Sequence, residues 1–62
     1  MKDDDKMLFG THRGKTMLNV PDSWLKWFYG ENKHDFHAGL CVGNQKQVME
    51  YIEDSFSEQD LA

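Results

Sequence analysis

The sequence predicts a small single α+β domain, with an N-terminal β-hairpin packed on two or three short helices. Three observations carry this prediction. Two glycines bracket a basic tip between short apolar flanks, two later segments repeat apolar residues at helical spacing, and aromatics reach 13% of the chain, too many for a disordered tail. At 62 residues there is one domain, residues 7 to 62. A domain of that length buries only about 60% of its unfolded surface, so each large side chain matters.

Residues 1 to 6, Met-Lys-Asp-Asp-Asp-Lys, hold nothing a core would take up and read as a disordered acidic head. The run is similar to an epitope-tag or protease-cleavage sequence, which makes Met7 the alternative natural start. From there the hairpin is expected, with strands near 7 to 9 and 15 to 18. Gly10 and Gly14 would supply the positive φ of its turn. A phosphate loop is the competing reading, but it requires four residues between its glycines, whereas Gly10 and Gly14 enclose three.

A helix is expected over residues 21 to 30. Pro21 suits its first turn, Asn19 or Asp22 can cap it, and Gly30 would stop it. At about 100° per residue, Trp24, Leu25, Phe28, Tyr29 and Trp27 cover an arc of about 200°. Leu25, Phe28 and at least one Trp are assigned to the core. Trp27 and Tyr29 sit at opposite margins, where one of them would be exposed to a partner.

Residues 31 to 43 show neither a helical nor an alternating period and read as a packed connector anchored by Phe36, Leu40 and Val42. His34, His37 and Cys41, with His12 as a fourth ligand, raise a zinc reading. Paired Cys-x-x-Cys elements are missing, so no metal is assigned and Cys41 is taken as a small buried hydrophobe. The last helix is expected from 44 to 57, with Asn44 and Gln47 at capping-box spacing. Val48, Met49, Ile52 and Phe56 form its apolar stripe, with Tyr51 at one side. Glu50, Glu53 and Asp54 lie opposite, followed by Glu58 and Asp60. Carboxylates at a helix C-terminus oppose its dipole, so the acidic end is expected to fray after about residue 57.

The net charge of −4 is unevenly spread: the middle of the chain is basic and both ends are acidic. That balance excludes the broad positive footprint of an autonomous duplex-DNA binder. No nucleophile, base and orienter occur together in a recognisable pattern, so neither an enzyme nor a cofactor is expected. Cys41 is the single cysteine and can close no internal disulfide. With no apolar run long enough for a signal peptide or a membrane span, a cytoplasmic setting is expected.

Phe9, Gly10, Gly14, Val20, Pro21, Trp24, Leu25 and Trp27 together resemble the pattern of a small family named for quorum-sensing-regulated virulence factors. A similar module ends exonuclease X-like proteins, and family members also occur in bacteriophage genomes. The match covers Leu8 to about Phe28, and departs from the pattern where Thr11 replaces the usual Lys. The resemblance implies a fold and a cytoplasmic setting, and no reaction.

Two functions follow as expectations. The first is a non-enzymatic module, of the kind the resemblance places in phage genomes, that binds a host or nucleic-acid-processing protein, or a second copy of itself, through Trp27, Tyr29, Glu50, Glu53 and Asp54. The alternative is an accessory nucleic-acid-binding module using His12, Arg13 and Lys15 on phosphates and Trp27 or Tyr29 for base stacking.

Overall fold

The computed structural model describes residues 1–61 and contains a 3-10 turn, Met17–Asn19, and three helices: α1, Asp22–His37, α2, Gly43–Ser55, and α3, Glu58–Leu61. Ala62, the last residue of the expected domain, lies outside the described residues. Among the described residues there is no strand, so the α+β expectation is corrected to an all-helical domain.

The segment read as a hairpin fails to extend for a local reason. Pairing between its flanks is reduced to one antiparallel bridge, Lys6 with Thr16. Gly10 (φ 82°) and Gly14 (φ 89°) turn the backbone twice within five residues, and Arg13 and Lys15 donate back to the carbonyls of Gly10 and His12. The Met7 carbonyl accepts from Gly14 and its N–H donates to Lys15, which closes the loop on itself. Beyond Thr16 the Met17 and Leu18 amides donate to Asp5 and Asp3, and the chain coils where a second strand was expected.

Those two bonds also change the picture of the head. Its side chains from Lys2 to Lys6 are exposed, as charged groups should be, yet its backbone is bonded to the body and Met1 packs at the margin of the core. Charged side chains alone say nothing about what the carbonyls beside them accept.

Helix α1 begins after Pro21, with Asp22 in its first turn where a carboxylate complements the helix dipole. Asn19 does not cap it, because its amide donates to the Thr16 hydroxyl at 2.8 Å. The helix then continues through Gly30, correcting the expected stop. A mid-helix glycine costs about 1 kcal/mol relative to alanine. Phe36, half-buried against the core two turns later, offsets that cost, and Asn32 Nδ2 donates to the Phe28 carbonyl at 2.9 Å. The actual stop is Gly39 (φ 78°), with the Leu40 amide on Asp35 O at 2.8 Å and the Gly39 amide on Phe36 O at 3.1 Å. This is the paired bonding of a Schellman motif. Most of the expected connector is therefore helix. Of its three anchors Phe36 is packed, while Leu40 and Val42 are exposed and Cys41 is buried between them.

Helix α2 starts one residue before the expected position, with Val42 as an extended N-cap that makes no side-chain bond, so Asn44 and Gln47 form no capping box. It ends at Ser55. The acidic end that was expected to fray forms α3, where the Ser57 hydroxyl accepts from the Asp60 amide at 3.4 Å and Leu61 lies half-buried against the core. The core is the α1–α2 contact closed by the loop: Leu25, Phe28 and Tyr29 meet Val48, Met49, Tyr51 and Ile52, with Met7, Met17 and Val20 completing it.

Candidate functional site

Helical spacing brings Trp24, Trp27 and Phe28 to one side of α1, and the glycine loop lays His12 against Trp24 and Phe9 against Phe28. Trp24 stacks on Phe28 with centroids 5.3 Å apart and planes 9° from parallel. His12 meets the same indole edge-on at 5.7 Å, and Trp27 meets it at 5.9 Å. Gly10 permits this approach, since a Cβ there would stand 3.3 Å from Trp24 Cζ2. Trp27 itself is 58% exposed. Arg13 and Lys15 are exposed beside His12, and neither forms an ion pair among the described residues. His12 is half-buried, with its Nδ1 buried and lacking a hydrogen-bond partner.

The residues expected to bind a protein are divided by the fold. Tyr29 is buried, and its hydroxyl donates to Glu53 Oε2 at 2.9 Å. The His37 Nε2 lies 3.3 Å from the same oxygen, so α1 and α2 are tied at that point. Tyr29 thus belongs to the helix interface and Glu53 serves it, whereas Glu50 and Asp54 remain exposed. Packing decided the margin question: Tyr29 shares the α2-facing side with Leu25, four residues earlier, and Trp27 does not.

The residues raised as zinc ligands do not converge. His37 is used by Glu53, His34 is exposed, Cys41 is buried with Sγ 4.0 Å from the Asn32 carbonyl, and His12 lies against Trp24. Among the described residues no three His, Cys, Asp or Glu side chains group around a metal position.

Sequence reasoning missed a groove of about 380 Å³ lined by the head, the 3-10 turn, the start of α1 and the end of α2. Asp3, Asp22, Tyr51 and Ser55 contribute its polar side chains, and the Tyr51 hydroxyl donates to Asp3 Oδ1 at 2.6 Å. Burial, followed by that hydrogen bond, raises the Tyr51 pKa above its ordinary value. Three residues so far apart in sequence leave no local signal.

Among the described residues no helix is long and apolar enough to cross a membrane. No family model, curated protein or solved structure matches this chain.

Proposed function

We propose that the chain is a non-enzymatic binding module that holds single-stranded nucleic acid at the surface formed by His12, Arg13, Lys15, Trp24 and Trp27. The ring series from His12 through Trp24 to Trp27 carries the reading, because it joins an exposed indole to the basic tip. Cations that track phosphates and an aromatic face that stacks a base are the two parts of a sequence-tolerant single-strand site. A protein partner held through acidic and aromatic residues has less support, since Tyr29 and Glu53 bind each other.

Titration of a short fluorescent oligothymidylate by anisotropy tests the proposal. Affinity should fall with salt at a log–log slope of about −1.4, from two phosphate contacts at roughly −0.7 each. Stacking contributes about 1–3 kcal/mol per base, so Trp27→Ala should weaken binding roughly 5- to 150-fold. Arg13→Ala with Lys15→Ala should remove the salt dependence. Absence of binding at low salt, or equal binding by all variants, rejects the nucleic-acid reading and returns the protein partner to first place.

A further inference from the structure

Gly30 stands in the middle of α1, and nothing in the fold asks for a glycine there. Its φ is not positive, and a Cβ at this position would meet no atom within 4 Å. Alanine would fit and would spare the helix the penalty that glycine carries. We propose that Gly30 leaves a bare stretch of helix for the bound strand. Resting on the nucleic-acid reading above, it lets the nucleotide next to the base stacked on Trp27 lie against α1, with its phosphate on Lys33.

Neighbours on a helix surface are three and four residues apart, so Gly30 is ringed by Lys26, Trp27, Lys33 and His34. All four are exposed, and the patch continues the Trp27 surface without a break. The Lys26 ammonium sits over the Phe56 ring at 5.8 Å, whereas that of Lys33 forms no ion pair among the described residues. At about 100° per residue, Gly30 and Lys33 fall to one side of Trp27, and Glu31 and Asp35 to the other. A polyanion leaving Trp27 is repelled by those carboxylates and drawn across the glycine to the lysine. Lys33 follows Trp27 by about 9 Å along the axis, at a rise of about 1.5 Å per residue, so its long stem reaches a phosphate beside the stacked base. A methyl group at position 30 would stand between that nucleotide and the helix backbone.

Anisotropy titrations with fluorescent thymidylates of three and of eight nucleotides test this. The longer probe runs past Trp27, so its log–log salt slope should be about −2.1 against about −1.4 for the shorter, a third phosphate contact adding roughly −0.7. Lys33→Gln should return the longer probe to a slope of about −1.4 and leave the shorter one unchanged. Gly30→Ala should raise the Tm by about 4–8 °C, yet weaken the longer probe roughly fivefold or more. Those opposite signs separate a ligand role from a structural one. If the shorter probe fails to bind the wild type, the nucleic-acid reading falls and this inference falls with it. If it binds while Gly30→Ala and Lys33→Gln leave the longer probe unchanged, only the track along α1 is overturned. Loss of self-association by Gly30→Ala in sedimentation, with oligonucleotide binding intact, would also overturn it and assign the bare face to a second copy of the chain.

Discussion

Phe28→Ala should remove between about a third and all of the protein's stability at 25 °C. Phe28 is 6% exposed, stacks with Trp24 at 5.3 Å and meets Phe9 at 5.5 Å, so one ring joins α1 to the glycine loop. Truncating a buried Phe costs about 3–5 kcal/mol, which combines the lost transfer free energy with the cavity left behind. A chain of this length has a total stability of about 3–9 kcal/mol at the usual value per residue. The loss is therefore comparable with the whole. Far-UV circular dichroism and urea denaturation would check it, and an unchanged midpoint would mean that Phe28 is not where the core closes.

Ile52→Ala is expected to cost about 2–5 kcal/mol. Its side chain is fully inaccessible, as are those of Val48 and Met49 on the same face of α2, so water cannot enter to fill the gap. The flexible Met49 beside it can relax into part of the space, which favours the lower half of that range. Ile52→Val, removing one methyl group, should cost only about 0.5–1.5 kcal/mol. A urea series in which both variants lose the same amount would show that local strain, rather than removed volume, sets the penalty.

The apolar faces of both long helices were legible from residue spacing, and so was the choice facing Trp27 and Tyr29. Helix limits were not. Gly30 looks like a terminator by residue type, but a glycine terminates a helix by adopting positive φ, and Gly39 is the one that does so. The same letters at Gly10 and Gly14 suggested a hairpin turn; two left-handed positions so close together instead close a tight loop whose flanks pair at a single bridge, Lys6 with Thr16. Of the candidate sites, the basic tip could be read from its sequence, while its attachment to Trp24 could not. The Asp3–Asp22–Tyr51 groove was invisible for a further reason: its charged residues meet only after α2 has packed beneath the head.

The Tyr51–Asp3 bond spans 48 positions, whereas α1 and α2 are joined by only the short loop from Ala38 to Val42. The helical hairpin closes a small loop and belongs to the low-contact-order class that forms in microseconds to milliseconds. Docking of the head needs that hairpin in place, since Tyr51 presents its hydroxyl from α2, and so it follows as a late event. Kinetically the bond acts as a latch: Tyr51→Phe should hasten unfolding and leave refolding nearly unaltered. A slowed refolding limb in stopped-flow measurements would instead put the head in the transition state.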